Sequence, residues 1–498
     1  MTKRPNLILF NPDQWRADVM GHFGNPAAST PFLDRLVAGD AVSFRNAFCQ
    51  NPVCTPSRCS FMTGLYPHVR GHRTMYHMLH SEHGETNLLA ELRRNGYFVW
   101  WGGKNDLIPG NGDFSSCCNV KFHPDREFLA RHNIVMQPDS HQTAASWRGE
   151  PGGDNYYSFF RGRLETADGS PYRDSDWCNV LGAIDFIRSC RGPEPYCIFL
   201  PLGYPHPPYA VEEPFAGRID RKLLPPRLRG PRRGEPIILE GIRERQNLTG
   251  WSEERWDELR AIYYGMCARL DRQFEMIVEA LKERGDYDES ALFLFSDHGD
   301  FTGDYGLVEK TQNTFEDCLT NVPLIVKPPK SLGCRPGVRQ ALVELVDLSE
   351  TVYDLAGIDP GYDRFGKSLL PLLGPGPDRL RDAVFCEGGR LTGETQAMEL
   401  DSSSARDPEG LYWPRCSLQC DDSRPWHGKA VMCRTATMKY VCRLYEKDEF
   451  YDLEKDPGEL CNRIDDPACA EAVARLRERL LRWTVETADT VPRTTDPR

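Results

Sequence analysis

Long apolar runs are missing from this chain of 498 residues. Near the N-terminus only the short run Leu7–Phe10 precedes Asn11 and Pro12, too short for a secretory signal, and no small-residue cleavage site follows. No stretch reaches the roughly 20 apolar residues that a transmembrane helix needs. We therefore expect a cytoplasmic, bacterial protein that does not bind membranes. A leader removed before this sequence begins stays an alternative.

Excess positive charge and a disulfide pattern are also missing. The chain has 61 lysines and arginines against 73 aspartates and glutamates, a net charge of −12. Such a chain is not expected to bind nucleic acid, and an anionic substrate would need a locally basic pocket. Eighteen cysteines in a chain of this length are typical of free thiols in a reducing compartment.

Short apolar runs alternate with amphipathic segments along most of the chain. Runs such as residues 5–10 and 291–296 are typical of strands buried on both faces of a parallel sheet. We predict an α/β fold with a large mixed, mostly parallel sheet flanked by helices, as residues 1–374. Residues 375–498 form a smaller C-terminal subdomain in this prediction, with a small antiparallel sheet and a terminal helix.

Two segments lose this alternation, residues 107–172 and 388–430. Both are rich in turn-forming residues, and a hairpin is expected near residues 156–166. Long loops in a compact domain are often functional. We therefore expect these segments to shape a pocket.

Several predicted strands end in charged or polar side chains. These are, in chain order, Asp13, Lys104, His206 and the pair Asp297 and His298. A lone Asp or Lys in such a place is often a solvated loop residue, but open α/β sheets bind ligands at the carboxyl ends of their strands. Two carboxylates, the Gln14 amide and an imidazole predict a site for a hard divalent cation.

The most informative stretch is residues 51–68. Its centre is Cys54-Thr55-Pro56-Ser57-Arg58, followed by a short helical pattern that ends at Gly64. A cysteine at a helix start lies where unpaired backbone N–H groups and the helix dipole favour negative charge. Arg58, one turn on, can bind an anion through its guanidinium. Taken alone, the pattern also fits a buried thiol beside a solvated arginine.

The Cys-x-Pro-Ser-Arg sequence, with its Thr-Gly-x-Tyr-Pro continuation from Thr63 to Pro67, resembles the signature of the formylglycine-dependent (type I) sulfatases. These enzymes belong to the alkaline phosphatase superfamily, and their signature cysteine is oxidised to formylglycine. The resemblance runs from Pro5 to residues 451–457. It implies the sulfatase fold, a formylglycine made from Cys54, and a formylglycine-generating enzyme or an equivalent as the partner that makes it.

The resemblance also implies a set of metal ligands. Family ligands after the first strand match Asp13 and Gln14, and those in the Ser-Asp-His-Gly sequence after a late strand match Asp297 and His298. The modified Cys54 completes the shell. Calcium is the family's usual metal. Gln14, where many members have aspartate, and the softer donor His298 leave manganese or magnesium open.

Four further positions match the family one by one. Arg58 matches the arginine that holds the formylglycine hydrate, and Lys104 matches the lysine of a Gly-Lys-x-His turn. His206 matches a histidine over the sulfate, and Lys310 a second lysine that contacts it. Asp106 departs from the family, which usually has histidine there. Because a carboxylate repels sulfate, we expect Asp106 to contact the organic part of the substrate or to hold Lys104.

A histidine-rich stretch follows the signature and contains His68, His72, His77, His80 and His83. We expect these side chains to line the approach to the pocket, with His72 facing the substrate. A second metal site is the alternative.

Together these matches imply hydrolysis of a sulfate ester. The aldehyde hydrates, one hydroxyl attacks sulfur, and loss of the proton from the second re-forms the aldehyde and expels sulfate. Arg58, Lys104 and Lys310 offset the charge on the sulfonate oxygens. His206 is the candidate acid for the leaving alcohol.

Two alternatives to a sulfatase stay open. A phosphonate monoester or phosphodiester hydrolase of the same superfamily suits Gln14 and His298, whereas Lys104, His206 and Lys310 favour sulfate. A catalytically silent, substrate-binding relative is the alternative from another class. The substrate is expected to be a small anionic ester of a sugar, aryl or steroid alcohol. The sequence does not choose among them, and a homo-oligomer is possible.

Overall fold

The computed structural model describes residues 4–167, 169–400, 402–493 and 495. Within them the strands are β1 (Asn6–Asp13), β2 (Val42–Phe48), β3 (Phe98–Gly102), β4 (Val120–Phe122), β5 (Phe160–Leu164), β6 (Tyr196–Pro205), β7 (Tyr209–Glu212), β8 (Ser290–Phe295), β9 (Leu324–Lys327), β10 (Gly337–Glu344), β11 (Val384–Gly388), β12 (Ala430–Arg434), β13 (Met438–Arg443) and β14 (Glu449–Asp452).

The α-helices of the same residues separate these strands. They are α1 (Pro31–Gly39), α2 (Cys54–Thr63), α3 (Pro67–Arg70), α4 (Leu88–Arg94), α5 (Arg126–Arg131), α6 (Ser175–Ser189), α7 (Phe215–Arg218), α8 (Ile237–Gln246), α9 (Glu253–Arg284), α10 (Asp317–Thr320), α11 (Asp347–Ala356), α12 (Leu370–Leu373), α13 (Ser403–Arg406), α14 (Trp413–Gln419) and α15 (Ala470–Glu486). Across the described ranges, no helix combines the length and the apolar character that crossing a membrane requires.

Eight strands form the main sheet, in the order β10-β2-β9-β8-β1-β6-β3-β4. β9 runs antiparallel to both of its neighbours, and the other pairs are parallel. The predicted mixed, mostly parallel sheet is confirmed. β1 is central, and its apolar residues alternate between two cores: Ile8 and Phe10 pack into one cluster, Leu7 and Leu9 into the other. Helices cover both faces, which is why the strand is a continuous apolar run.

The longest helix, α9, has a capping residue at each end. The Ser252 hydroxyl accepts a hydrogen bond from the backbone N–H of Arg255, and Gly285 ends the helix at a φ of 86°. The positive φ explains why glycine stands at that end. Midway along α9, the Asp271 carboxylate accepts hydrogen bonds from the N–H groups of Phe32 and Leu33 at 3.1 and 2.8 Å. It therefore caps the start of α1 and fixes one helix against the other.

The expected hairpin near residues 156–166 is wrong. β5 lies there, but it pairs in parallel with β7 as a separate two-stranded sheet. The loop-like segment 388–430 also contains helices, α13 and α14, and α8 lies in a Pro- and Arg-rich stretch. Ile238 and Ile242 of α8 pack against Phe301 and Leu418, which are distant in sequence. Tertiary packing thus stabilises helices too short to be evident from local pattern.

The C-terminal residues form the antiparallel sheet β11-β12-β13-β14, which confirms the predicted architecture of this part. α15 covers one face, and its Trp483 ring stacks on Phe385 with centroids 4.6 Å apart. The boundary expected after residue 374 lies between α12 and β11. We keep that division as a proposal.

Lys439 of β13 joins the small sheet to the main domain. Its ammonium is fully buried and lies 2.7 Å from Asp317 Oδ1 of α10 and 2.8 Å from both carboxylate oxygens of Glu459. It also donates to the Phe315 carbonyl at 2.7 Å. A buried ion group of this kind is costly to break, because removing one partner leaves the others uncompensated.

Replacing Lys439 tests this contact. We expect Lys439→Ala to lower the free energy of unfolding by about 3–5 kcal/mol, because the buried Glu459 carboxylate loses its cation while Asp317 keeps only Arg434. Urea denaturation monitored by tryptophan fluorescence measures the change. Lys455→Ala, which removes an exposed lysine paired with Asp452, should leave the unfolding midpoint unchanged. Equal midpoints for both variants would contradict the assigned role.

Candidate active site

Neighbouring strands of the main sheet end in the polar residues that the sequence singled out. β8, β1, β6 and β3 are adjacent. Asp13 is the last residue of β1, Asp297 and His298 follow β8, His206 follows β6, and Lys104 follows β3. Because these strands are parallel, their carboxyl ends meet at one edge of the sheet. The structure thus brings these side chains together.

Cys54 is the first residue of α2 and is only 1% exposed. Its Sγ lies 3.2 Å from His298 Nε2, 3.6 Å from Asp13 Oδ1 and 3.7 Å from Lys104 Nζ. α2 ends at Gly64, whose φ of 73° favours glycine, as the sequence predicts. The helix therefore delivers position 54 into the centre of the strand-end group.

The thiol of Cys54 is not activated in this position. Burial, and then Asp13, raise its pKa to about 12, although Lys104 and Lys310 act in the opposite direction. The helix start, which was expected to favour negative charge, does not offset this desolvation. At neutral pH an unmodified Cys54 is therefore a protonated thiol and a weak nucleophile.

Arg58 lies one turn further along α2 and bridges the two strand-end carboxylates. Its Nε donates to Asp297 Oδ2 at 2.9 Å, and its terminal nitrogens donate to Asn11 Oδ1 at 3.1 Å and Asp13 Oδ2 at 3.2 Å. The guanidinium is 1% exposed. Because arginine keeps its charge, it places one positive charge between two buried carboxylates.

Lys104 adds a second cation to Asp13. Its ammonium lies 2.5 Å from Asp13 Oδ2 and 2.8 Å from Asp106 Oδ2. Burial acts to raise the pKa of Asp13, but Lys104, His206 and Arg58 outweigh it and hold that pKa well below its usual value. The Asp106 carboxylate therefore holds Lys104, one of the two roles that the sequence left open for it.

The side chains around Cys54 fit a divalent metal ion. One potential ligand atom each of Asp13, Cys54, Asp297 and His298 lies within 4.8 Å of the others. His298 Nδ1 donates to the Gly299 carbonyl at 3.0 Å, which leaves Nε2 as the lone-pair donor. Burial lowers the pKa of His298, so the imidazole is neutral, as a metal ligand must be.

Gln14 lies beside this group, with a φ of 73°. Its amide Nε2 donates to Asp300 Oδ2 at 2.5 Å, and its Oε1 accepts from Lys310 Nζ at 2.7 Å. The amide oxygen is thus held at the site, next to a lysine. Its place among the metal ligands stays a prediction.

His206 and Lys310 form a pair beside Gln14. His206 Nδ1 donates to the Pro207 carbonyl at 2.6 Å, and its Nε2 lies 3.0 Å from Lys310 Nζ. Burial, and then Lys310, lower the pKa of His206 well below its usual value. A neutral imidazole with Nδ1 protonated accepts a proton at Nε2, so in this state Lys310 carries the proton and His206 receives the hydrogen bond.

His72 does not reach this site. Its Nε2 lies 2.7 Å from Glu85 Oε1, and its Nδ1 donates to the His77 carbonyl at 3.0 Å, beside a small separate cavity next to α2. His72 therefore lies away from the position where the substrate was expected to contact it. His68 pairs with Glu387 and lies against Trp483. The histidines of this stretch contact the protein or face solvent and are not part of the lining of the cavity described next, whereas Met75, Tyr76 and Met78 of the same stretch do line it.

A cavity of about 990 Å³ opens at Cys54. The two segments without a clear sequence pattern supply much of its wall: residues 122–124 and 136–142 from one, and Glu399, Ser402, Tyr412, Arg415 and Cys416 from the other. Lys104, Asp106, His206 and Lys310 also line it. The prediction that the two segments shape a pocket is confirmed.

Four residues of the site were not predicted from the sequence. His141 and Tyr412 lie with ring centroids 5.9 Å apart, each next to His206. Glu309 pairs with Lys310 at 2.8 Å, and Arg415 of α14 pairs with Glu309 at 3.1 Å. The backbone of Glu309 has a φ of 70°. No spacing or motif in the sequence identifies any of these four residues as part of the site. Only the fold brings them to Cys54.

Comparisons with known proteins agree with this geometry. The family model described as Sulfatase matches residues 5–358. The multifunctional alkaline phosphatase superfamily protein PehA of Trinickia caryophylli is 24% identical, with 98% of this chain and 96% of that protein covered. An arylsulfatase of Clostridium perfringens is also 24% identical, with 96% and 94% covered.

Among solved structures, the phosphonate monoester hydrolase of Agrobacterium radiobacter has a TM-score of 0.72 to this chain. Its sequence identity is 22%, and the match covers 99% of this chain and 100% of that one. This likeness supports the fold, and the family model covers well over half of the chain. The protein is therefore an enzyme of the sulfatase family.

Proposed function

We propose that this protein hydrolyses a sulfate ester to an alcohol or phenol and inorganic sulfate, with formylglycine made from Cys54 as nucleophile and a divalent metal ion. The observation that carries the proposal is the position of Cys54. Within its Cys-x-Pro-Ser-Arg sequence it lies against Asp13, His298 and Lys104 at the end of a cavity. A protonated thiol does not serve there as nucleophile, which supports its modification.

Asp13, Gln14, Asp297 and His298 would hold the metal together with position 54. Calcium is our first candidate, with manganese and magnesium as alternatives, because the donors are mainly oxygens with one imidazole. Such an ion would supply positive charge against the oxygens of the transferred group. Arg58 would orient Asp13 and Asp297 as ligands, since it bonds to both.

Formylglycine would supply, as its hydrate, one oxygen to attack sulfur and a second whose deprotonation releases sulfate. A formylglycine-generating enzyme or an equivalent would be required as a partner during maturation. A cytoplasmic location and a homo-oligomeric state stay predictions.

Lys104 and Lys310 would bind the sulfonate oxygens, since both ammonium groups lie beside Cys54 and line the cavity. The proton for the leaving oxygen would come from the Lys310 and His206 pair. Lys310 donates to His206 Nε2 at 3.0 Å in the resting site, so the pair holds one transferable proton next to the substrate. Lys310 would give this proton to the leaving oxygen, and His206 would orient the ammonium group through Nε2.

A phosphonate monoester or phosphodiester hydrolase is the second candidate. The solved structure from Agrobacterium radiobacter bears the first name and matches the whole chain. The Asp13-Gln14 and Asp297-His298 pairs suit either reaction. Both ester classes carry a single negative charge, so the same cations would serve both.

Maturation and turnover test the reaction class. We expect co-expression with a formylglycine-generating enzyme to give the aldehyde at position 54, detected by peptide mass. The matured protein should hydrolyse 4-nitrophenyl sulfate with a higher kcat/KM than a 4-nitrophenyl phosphonate monoester. Cys54→Ala should lower turnover by at least about 1,000-fold, because the nucleophile is lost. A phosphonate preference would transfer the assignment to the second candidate.

Changing the leaving group tests the proton pathway. We expect His206→Gln to lower kcat/KM by about 100-fold for an alkyl sulfate but by less than about tenfold for 4-nitrophenyl sulfate. The nitrophenolate leaves without protonation, whereas an alkoxide does not. His132→Gln, which alters a histidine paired with Asp185 outside the site, is the matched control. Equal losses for the two esters would exclude this role.

Metal removal tests the ligand set. We expect the purified protein to hold about one divalent ion per chain, measured by plasma mass spectrometry. Dialysis against a chelator should abolish turnover, and readdition of calcium, manganese or magnesium should identify the working ion. Asp297→Asn should lower metal content, since one anionic ligand is lost. Asp288→Asn, at an exposed carboxylate paired with Lys330, should keep it. Full metal content in Asp297→Asn would argue against this site.

A further inference from the structure

The lysine and arginine side chains of the cavity wall are already paired. Within the described residues, the lining contains Lys104, Lys310 and Arg415 as its only strong cations. Lys104 pairs with Asp13 and Asp106, Lys310 pairs with Glu309, and Arg415 pairs with Glu309 at 3.1 Å and Glu399 at 3.4 Å. Two of the three lie beside Cys54, where one ester anion would occupy them. Among the residues that the structure describes, no further lysine or arginine lines the rest of the cavity.

Two carboxylates of the same wall lack a cationic partner. In the part of the chain that the structure describes, neither Asp139 nor Asp176 forms an ion pair with a lysine or arginine. Asp139 is exposed and accepts from the His141 N–H at 2.7 Å, and Asp176 accepts from the Gly203 and Tyr204 N–H groups at 2.9 Å each. Burial lowers the pKa of His141, so its imidazole supplies no compensating charge.

Other parts of the wall are apolar. Met75, Tyr76, Met78, Met136 and Tyr412 line the cavity. Tyr76 is 51% exposed and Met136 is 47% exposed, so their side chains are available for contact. Methionine and tyrosine offer adaptable apolar surface to an organic group.

We infer that the cavity selects a singly charged ester whose organic part is uncharged or cationic, and discriminates against one with a second anionic group. This inference rests on the proposed function and narrows its substrate class. A carboxylate or second sulfate on the organic part would enter a wall whose described residues offer it the exposed Asp139 carboxylate but no unpaired lysine or arginine. Juxtaposed like charges are a strong source of discrimination. A sugar acid or a multiply sulfated sugar is thereby disfavoured.

Three aryl sulfates of similar size test the inference. Their rings carry a hydroxymethyl, a carboxymethyl or a trimethylammoniomethyl group, and kcat/KM is corrected for the acidity of each phenol. We expect the carboxymethyl ester to be at least about tenfold poorer than the hydroxymethyl ester, and the cationic ester to equal or exceed it. A carboxymethyl ester that is as good as the neutral one would overturn the inference.

A matched pair of variants assigns the effect. Asp139→Asn should reduce the ratio of neutral to carboxymethyl kcat/KM severalfold, because an amide keeps the hydrogen bond to the His141 N–H without the charge. Asp113→Asn is the control, since Asp113 is exposed, lies outside the cavity and also accepts from an N–H two residues on, at 2.8 Å. This variant should keep the wild-type ratio. If Asp139→Asn left the ratio of neutral to carboxymethyl kcat/KM unchanged, Asp139 would not be a source of the discrimination.

A binding measurement tests this inference independently of the proposed function. If the matured enzyme hydrolyses none of the esters, the proposed function fails. Dissociation constants of the three esters for Cys54→Ala, measured by calorimetry, then decide the inference alone. Weaker binding of the carboxymethyl ester than of the other two supports it. Equal binding of all three overturns it.

Discussion

The active site depends on the compensation of two buried carboxylates by one arginine. Asp13 and Asp297 are fully buried at the ends of adjacent strands, and burying two carboxylates is costly unless they are paired with positive charge. Arg58 bonds to both, and Lys104 adds a second cation to Asp13. Everything else at the site is arranged around this charged group. Position 54 is carried on the same helix as Arg58, so nucleophile and counter-ion are placed by one element.

The rigidity of this arrangement comes from the main sheet. β8, β1, β6 and β3 are adjacent and buried. Each of them contributes a polar residue at its carboxyl end or just after it. The backbone positions of these groups are therefore fixed by ladder hydrogen bonds and by packing on both faces. The C-terminal sheet is tied to this domain by the Lys439 ion group, which reaches α10.

The sequence was informative where local pattern and function coincide. Asp13, Cys54, Arg58, Asp297 and His298 follow apolar runs or sit in a motif, and the fold unites them. The sequence was uninformative for Glu309, Arg415, Tyr412 and His141. These residues come from segments that are distant in sequence, and no local pattern shows that the fold brings the segments together. His72 shows the opposite error: a histidine near a motif attracted a functional expectation, whereas Glu85 holds it elsewhere. The parallel β5 and β7 pairing was missed because register between distant segments has no local signal.

The walls and the floor of the cavity come from different parts of the chain. Strand ends and α2 supply the reacting core. Much of the outer wall comes from residues 122–124 and 136–142 and from Glu399, Ser402, Tyr412, Arg415 and Cys416. Insertions and substitutions in such segments disturb few ladder hydrogen bonds. Evolution could therefore exchange these segments and change the organic part of the ester that the enzyme accepts, while the reacting core stays the same.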